Sequence, residues 1–197
     1  MTLPPFAHLA SSDEGRALAA RIRLVGLDVD GVLTDGGVYL GDVAGQRLEF
    51  KRYEIQDGLG IKMLQKAGIL VAIITGRVSE SVALRGRELA VDELVQDHHA
   101  RKLIALREIV TRRGLSLDEV AFVGDDLPDV GVLQVVGLPV IVANASIDAR
   151  AAAHYQLTRR GGDGAIREFA EGLLDARGQW EGLARWYVES RATGGAA

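Results

Sequence analysis

A short apolar run that ends in two carboxylates constrains the fold of this chain more than any other stretch. Residues 24–27 read Leu-Val-Gly-Leu, and Asp28 and Asp30 follow one residue apart. A brief, continuous apolar run predicts a strand buried on both faces, as in a parallel sheet, and Gly31 lets the chain turn sharply after it. Because open α/β sheets bind ligands at the carboxyl ends of their strands, the two carboxylates mark a candidate site.

The proximity of the two carboxylates predicts a bound cation. Two negative charges about 4 Å apart repel by roughly 4 kcal/mol at an effective dielectric constant of 20, so such a pair needs a cation, a shared proton or solvent. Mg²⁺ is a hard cation that prefers oxygen ligands, and we expect it as the cofactor. The alternative is a polar strand end followed by a turn, and the rest of the chain must decide between the two.

The bulk composition indicates one domain and narrows the range of partners. With 197 residues, of which 48% are hydrophobic, the chain can bury one sizeable core. We expect residues 1–11 to be flexible, residues 12–190 to form a single domain and residues 191–197 to form a flexible tail. The net charge of −4, without a basic stripe, argues against nucleic acid or an anionic membrane as a partner.

The absence of cysteine excludes disulfides and thiolate nucleophiles and favours a cytoplasmic enzyme. The N-terminal residues show no long apolar segment typical of a signal peptide, and no run reaches the roughly 18 apolar residues of a membrane helix. We therefore expect no membrane partner.

The remaining apolar runs alternate with helical patterns. This alternation predicts an α/β fold with a doubly wound, mostly parallel sheet. Besides the first strand, strands are predicted at 69–74, 93–95, 120–123, 138–142 and 155–157, and the main helices at 13–21, 57–67, 79–89, 100–113, 128–136, 164–174 and 180–189.

A β-hairpin interrupts the alternation at about residues 37–53. Its predicted strands, 38–40 and 46–50, flank a turn at 41–45. We expect its alternating apolar residues to form one face that packs on another subunit. These residues are Val38, Leu40, Leu48 and Phe50.

Polar side chains follow four of the predicted strands. One such strand end is a coincidence, whereas four in one sheet indicate a site. They carry Asp28 and Asp30, then Thr75 and Arg77, then Asp97 shortly before Lys102, and finally Asp125, Asp126 and Asp129.

Phosphoryl transfer explains these residue types economically. Asp28 is the predicted nucleophile, and Asp30 the general acid that later acts as base. Asp28, Asp30 and Asp125 are the predicted metal ligands, while Thr75 and Lys102 hold the phosphate oxygens. The arginine at position 77, two residues after Thr75, carries a guanidinium that suits an anionic group of the substrate.

Three features of the sequence allow more than one interpretation. Either Asp126 or Asp129 bonds Lys102 or the loop, and the other caps the following helix. The adjacent histidines at 98–99 suggest a metal site. However, adjacent side chains point apart, and carboxylates already suit a hard metal. The glycine-rich loop at 161–164 either binds an anion at a helix N-terminus or forms a tight turn.

The ordered motifs resemble a known superfamily. D-V-D-G-V at 28–32, I-T-G-R at 74–77, Lys102 and G-D-D-L-P-D at 124–129 are similar to the four motifs of the haloacid dehalogenase superfamily, across about residues 22–175. Within it, the hairpin in place of a cap domain resembles the 3-deoxy-D-manno-octulosonate 8-phosphate phosphatases. So do T-D-G at 34–36, D-G-x-G-I at 57–61 and G-G-x-G-A-x-R-E at 161–168.

This resemblance implies a capless, cytoplasmic, Mg²⁺-dependent phosphatase of lipopolysaccharide sugar synthesis. It acts on a small phosphorylated sugar acid through an aspartyl-phosphate and assembles as a homotetramer, in which the hairpin of one subunit helps to close the site of its neighbour. The resemblance also implies a set of substrate-binding residues. These are Asp30, Glu54, Ile55, Gln56, Asp57, Gly58, Lys62, Gly76, Arg77, Arg85 and Lys102.

Two positions depart from the family pattern, and two alternative functions stay open. Glu54 and Gln56 stand where the family pattern has a small polar residue such as asparagine and an arginine. Related phosphatases of nine-carbon keto-deoxy sugar acids share most of the motifs, although Arg77 favours the eight-carbon substrate. A non-catalytic regulatory or binding module on the same fold is the other alternative, and the retention of the whole acidic and basic set argues against it.

Overall fold

The apolar segments of the chain form one parallel sheet in a computed structural model that describes residues 3–192. The strands of the chain are β1 (Leu24–Leu27), β2 (Tyr39–Val43), β3 (Gln46–Phe50), β4 (Leu70–Thr75), β5 (Glu93–Gln96), β6 (Val120–Gly124), β7 (Leu138–Ile141) and β8 (Tyr155–Gln156). Six of them pair in the order β5-β4-β1-β6-β7-β8, and every pairing is parallel. β1 therefore lies at the centre, between β4 and β6, where the chain reverses its direction of travel across the sheet.

Helices cover both faces of this sheet. They are α1 (Asp13–Arg21), α2 (Ile55–Lys66), α3 (Glu80–Leu89), α4 (Lys102–Arg113), α5 (Leu127–Leu133), α6 (Ile147–Ala152), α7 (Ala165–Ala176) and α8 (Trp180–Ala192), with short 3-10 helices at Phe6–Ser11 and Leu117–Glu119. α2 packs on α7, and α1 also contacts α7, whereas α5 packs on both α4 and α6. Because crossovers between parallel strands are right-handed, these two groups lie on opposite faces of the sheet.

This architecture confirms the predicted α/β, doubly wound fold with a hairpin insertion. The central strands are buried along their whole length, as the continuous apolar runs predict. The six-residue helix α6 is absent from the sequence prediction. Its segment is too short and too rich in alanine to show helical periodicity, and its start is marked only by Ser146, whose hydroxyl accepts a hydrogen bond from the backbone of Ala149.

The N-terminal segment is packed, which differs from the expected flexibility of residues 1–11. Phe6 and Leu9 are buried in the main core. The Phe6 ring stacks on Phe169 with 5.0 Å between centroids and meets the edge of Tyr155. The segment is therefore tied to α7 and to β8. Residues 1–2 lie outside the described part of the chain. Of the predicted tail, residues 193–197 also lie outside it, whereas residues 191–192 belong to α8.

The hairpin is formed by β2 and β3, but its turn occupies only the last two residues of the predicted segment 41–45. Ala44 and Gly45 form a two-residue turn with positive φ values of 54° and 79°. The antiparallel register pairs Leu40 with Glu49 and Gly41 with Leu48. Since directly paired residues share a face, Leu40 and Leu48 lie on opposite faces. The prediction of a single apolar face with Val38, Leu40, Leu48 and Phe50 is therefore wrong. The observed apolar face carries Tyr39, Val43, Leu48 and Phe50.

Among residues 3–192, none of the helices combines the length and the apolar character needed to cross a bilayer.

Candidate active site

A cavity of about 260 Å³ opens at the carboxyl ends of β1, β4 and β6. It brings together most of the residues that the four motifs predict, since the ends of adjacent parallel strands meet at one edge of the sheet. Its lining consists of Asp28, Asp30, Thr75, Gly76, Arg77, Ala100, Lys102, Asp125, Asp126 and Pro128.

A buried ion-pair cluster forms the floor of this cavity. Lys102, the first residue of α4, places its ammonium 2.8 Å from Asp28 Oδ1 and 2.6 Å from Asp129 Oδ1. Burial alone lowers the pKa of Lys102, but these two carboxylates outweigh burial and raise it. The other oxygen of Asp129 accepts hydrogen bonds from the backbone N–H groups of Asp125 and Asp126. Asp129 is therefore the partner of Lys102 and fixes the loop, which decides between the two interpretations left open by the sequence.

Asp28 and Asp125 are the two carboxyl groups in this cluster whose protonation is strongly perturbed. Burial raises the pKa of Asp28 from 3.8 to about 7, and the charge of Asp129 acts in the same direction. Burial likewise raises the pKa of Asp125 from 3.8 to about 8, with Asp28 and Asp129 adding to the effect. A divalent cation between them would favour both ionised forms.

The oxygen atoms in this cluster fit a magnesium ion. One oxygen each of Asp28, Asp125 and Asp129 lie within 4.8 Å of one another. Both oxygens of Asp129 already accept hydrogen bonds, so Asp28 and Asp125 are the carboxylates free to bind a metal. All of these ligands are hard oxygen atoms, which suit Mg²⁺. Within residues 3–192, this group of potential ligands includes neither His98 nor His99.

Asp30 lines the same cavity, but its carboxylate binds a lysine and is not one of the clustered potential metal ligands. Its Oδ1 accepts a hydrogen bond from Lys51, which directly follows the hairpin. The Lys51 ammonium also lies 2.9 Å from Glu49 Oε1, and the Lys51 side chain is only 2% exposed. Burial lowers the pKa of Lys51, but Asp30 and Glu49 more than compensate and raise it.

The hairpin also contacts Arg77. Its guanidinium donates a hydrogen bond of 2.6 Å to Glu49 Oε2, and its Nε lies 4.0 Å from Asp30 Oδ2. Hydrogen bonding to Lys51 lowers the pKa of Glu49. The sequence analysis missed Glu49 and Lys51. The available signal was the hairpin alternation, which places a carboxylate and an ammonium two residues apart and hence on one side of the strand.

Thr75 ends β4 with a buried hydroxyl at the cavity wall. Its Oγ1 accepts a hydrogen bond of 3.3 Å from the backbone of Arg77. A hydroxyl has one hydrogen to donate, so that hydrogen remains available to a bound anion. The adjacent Gly76 leaves no room for a side chain, because an added Cβ would lie 2.8 Å from the Cβ of Ala100.

The glycine-rich loop at 161–164 packs against the turn that follows β1. A Cβ on Gly161 would lie 1.8 Å from the carbonyl oxygen of Gly31. Asn144 joins the two loops, because its Oδ1 accepts from Gly161 N and its Nδ2 donates to Gly31 O. Gly31 itself has a φ of +93°, and a Cβ there would meet Asp125 Oδ2 at 2.1 Å. The loop therefore acts as a tight turn that supports the catalytic strand end.

Asp57, a predicted substrate-binding residue in the first turn of α2, contacts the start of α7 through its side chain. Its Oδ1 accepts a hydrogen bond of 2.8 Å from the backbone of Arg167, while its other oxygen is buried without a hydrogen-bond partner among the described residues. Burial raises the pKa of Asp57 from 3.8 to about 6. The N-terminus of α7 thus already holds a carboxylate of the protein itself, which favours the tight-turn interpretation of the preceding loop.

The other predicted substrate-binding residues lie outside the catalytic cavity. Lys62 donates a hydrogen bond to the carbonyl oxygen of Leu89, and Arg85 pairs with Glu88 at 2.8 Å. A neighbouring groove of about 560 Å³, between α2, α3 and α8, includes Ile55, Gly58, Lys62 and Arg85 in its lining. At the start of α2, the side chain of Glu54 accepts a hydrogen bond of 3.3 Å from the backbone of Gln56.

Comparisons with known proteins place the chain among haloacid dehalogenase-like hydrolases. The haloacid dehalogenase-like hydrolase family matches residues 92–169. The 3-deoxy-D-manno-octulosonate 8-phosphate phosphatase of Yersinia pestis is 40% identical over 164 residues, covering 83% of this chain and 86% of that protein. The same enzyme of Escherichia coli K12 is 42% identical over 163 residues, covering 83% and 85%.

A solved structure extends the similarity to the whole fold. The 3-deoxy-D-manno-octulosonate 8-phosphate phosphatase of Moraxella catarrhalis, crystallised with magnesium, phosphate and a KDO molecule, superposes with a TM-score of 0.82 at 36% identity. The alignment covers 87% of this chain and 97% of that one. Since the sequence similarity also spans 83% of the chain, the protein belongs to the 3-deoxy-D-manno-octulosonate 8-phosphate phosphatase family of the haloacid dehalogenase superfamily.

Proposed function

We propose that the protein is a Mg²⁺-dependent phosphatase that hydrolyses 3-deoxy-D-manno-octulosonate 8-phosphate to the free sugar acid and phosphate. The observation that carries this proposal is the pairing of buried Asp28 with Lys102, at 2.8 Å, in a cavity that also contains Asp30, Thr75 and Asp125. This set supplies a nucleophile, a proton donor and ligands for both a metal and a phosphate group.

In the first step, a carboxylate oxygen of Asp28 attacks phosphorus and the bond from phosphorus to the sugar oxygen breaks. Asp30 donates a proton to the departing oxygen, so the sugar leaves as an alcohol. Lys102 and the hydroxyl of Thr75 hold the phosphate oxygens during the transfer. The product of this step is an aspartyl-phosphate on residue 28.

In the second step, water attacks the phosphorus of the aspartyl-phosphate. Asp30, now ionised, accepts a proton from that water, and the bond to Asp28 breaks to release inorganic phosphate. Asp28 and Asp125 would hold a bound Mg²⁺, which would supply positive charge that offsets the charge of the phosphate. Whether Asp30 is also a ligand stays a prediction, because its carboxylate is engaged with Lys51.

Arg77 provides the cation for the far end of the substrate. It lines the cavity, its side chain is half-exposed, and it is held by Glu49 beside Asp30. A keto-deoxy sugar acid carries a carboxylate remote from its phosphate, which a guanidinium can bind through two parallel hydrogen bonds. Lys62 and Arg85 in the neighbouring groove remain predicted contacts of the substrate.

We further propose that the enzyme is a cytoplasmic homotetramer that serves lipopolysaccharide synthesis. The exposed apolar hairpin face formed by Tyr39, Val43, Leu48 and Phe50 supports assembly, since a protruding hairpin with such a face needs cover. The absence of cysteine and the family's substrate are consistent with a cytoplasmic enzyme.

A panel of phosphorylated sugars tests the proposed function. Purified protein with Mg²⁺ should release phosphate fastest from the eight-carbon keto-deoxy sugar acid, compared with nine-carbon keto-deoxy sugar acids and simple hexose phosphates. Asp28→Asn should remove turnover while the thermal unfolding curve stays cooperative, because an amide is not a nucleophile toward phosphorus. Asp163→Asn, which changes an exposed carboxylate outside the cavity, is the matched control. Turnover by Asp28→Asn, or preference for another substrate, would contradict the proposal.

A further inference from the structure

A buried ammonium connects the hairpin to the catalytic cavity. The Lys51 side chain is 2% exposed and contacts two carboxylates, Asp30 and Glu49. A buried lysine has a large desolvation cost and persists only with well-placed partners. Glu49 in turn binds Arg77, so the base of the hairpin orders two groups of the cavity at once.

The contact of Lys51 distinguishes the two oxygens of Asp30. Oδ1 accepts the hydrogen bond from Lys51. Oδ2 is buried and has no hydrogen-bond partner among residues 3–192, and Arg77 Nε lies 4.0 Å from it. With Oδ1 held, the orientation of the carboxyl group is fixed and Oδ2 is the oxygen left for a proton transfer.

We propose that Lys51 is a positioning residue for Asp30, which holds one carboxyl oxygen so that the other faces the leaving oxygen of the substrate. This inference rests on the proposed function, because it concerns the proton that Asp30 gives to the departing sugar. Glu49 supports the arrangement by binding Lys51 on one side and Arg77 on the other.

The alternative is that Lys51 only stabilises the fold by neutralising two partly buried carboxylates. The two roles differ in how the rate depends on the leaving group. A leaving group of high pKa needs the proton from Asp30, whereas one of low pKa departs without it. A misplaced Asp30 therefore slows substrates with poor leaving groups selectively, whereas general damage to the site slows all of them alike.

The experiment measures kcat/KM for a series of aryl phosphates, from 2,4-dinitrophenyl to phenyl phosphate, with saturating Mg²⁺. These substrates carry no carboxylate, so loss of binding at Arg77 does not enter. For Lys51→Met we expect kcat/KM on phenyl phosphate to fall by about tenfold to a hundredfold, a part of the 10² to 10⁴ typical of acid catalysis, and on dinitrophenyl phosphate by less than about threefold. Lys51→Gln retains one donor and should give an intermediate slope, and it is the test if Lys51→Met does not fold.

Arg47→Met is the matched control, because it removes an exposed cation from β3, the strand that directly precedes Lys51. It should leave the leaving-group dependence unchanged. Equal losses across the series for Lys51→Met, or no loss, would overturn the positioning role. Asp30→Asn separates the two levels of the argument. If the loss of kcat/KM increases with the pKa of the leaving group in Asp30→Asn but is equal across the series in Lys51→Met, only the inference about Lys51 is refuted. If the loss is equal across the series in Asp30→Asn, the acid role of Asp30 is itself refuted.

Discussion

Substitution of the buried Asp57 by asparagine should change the pH dependence of stability more than it changes catalysis. Asp57 is 2% exposed and its Oδ1 accepts a hydrogen bond from Arg167 N at the start of α7. Burial raises its pKa from 3.8 to about 6 in the folded protein. The native state therefore binds a proton at this group more tightly than the unfolded chain does.

The sign and size of the effect follow from that difference in pKa. The native state holds the extra proton between pH 3.8 and about 6, so the free energy of unfolding decreases as pH rises through this interval. A shift of about two units corresponds to about 3 kcal/mol. About 2 kcal/mol of this falls between about pH 4.5 and pH 8, because the unfolded carboxyl is already largely ionised at the lower value.

Asparagine has no proton to lose, so Asp57→Asn should become more stable relative to the wild type as pH rises. Urea unfolding at about pH 4.5 and pH 8, without added Mg²⁺, measures the difference. We expect the stability of the variant relative to the wild type to improve by about 2 kcal/mol between the two values, whatever constant offset the amide introduces. Asp163→Asn, at an exposed position in the adjacent loop, is the control. The same relative stability at both pH values would refute the role of burial, and a large rise in KM would instead support contact with the substrate.

Two further predictions concern specificity and assembly. Arg77→Ala should lower kcat/KM for the octulosonate phosphate by about tenfold to a hundredfold, since a charge-assisted contact contributes about 1.5 to 3 kcal/mol, while p-nitrophenyl phosphate turnover should barely change. Arg87→Ala, at an exposed ion pair of α3, is its control, and equal losses on both substrates would contradict the role in carboxylate binding. Light scattering at micromolar concentration should give an assembly several times heavier than the 21.1 kDa chain. Val43→Glu on the apolar hairpin face should lower that mass, and a monomeric wild type would contradict assembly.

The parallel sheet and the main residues of the catalytic cavity were predictable because their signals are local in sequence. A continuous apolar run such as 120–123 identifies a buried strand, and the residues that follow it must then lie at one edge of the sheet. This argument is enough to bring Asp28, Thr75, Lys102 and Asp125 into one cavity. It needs no knowledge of side-chain contacts.

The partners of these residues were less predictable because they depend on packing between distant segments. Asp57 and Arg167 are 110 residues apart, and no local pattern shows that one caps the helix of the other. The burial of Phe6 depends in the same way on Phe169, which lies on a helix near the other end of the chain. Sequence periodicity describes how one segment behaves and does not identify the segment on which it packs.

The hairpin shows why register matters to the active site itself. The turn at Ala44 and Gly45 fixes the pairing of Leu40 with Glu49, which directs Glu49 toward Arg77 and leaves Phe50 on the outward face. Side chains alternate along a strand, so a slip of one residue in β3 would exchange the two faces. Glu49 would then face away from Arg77, and Phe50 would take its place. The sequence of a distant two-residue turn therefore contributes to the geometry of the catalytic site.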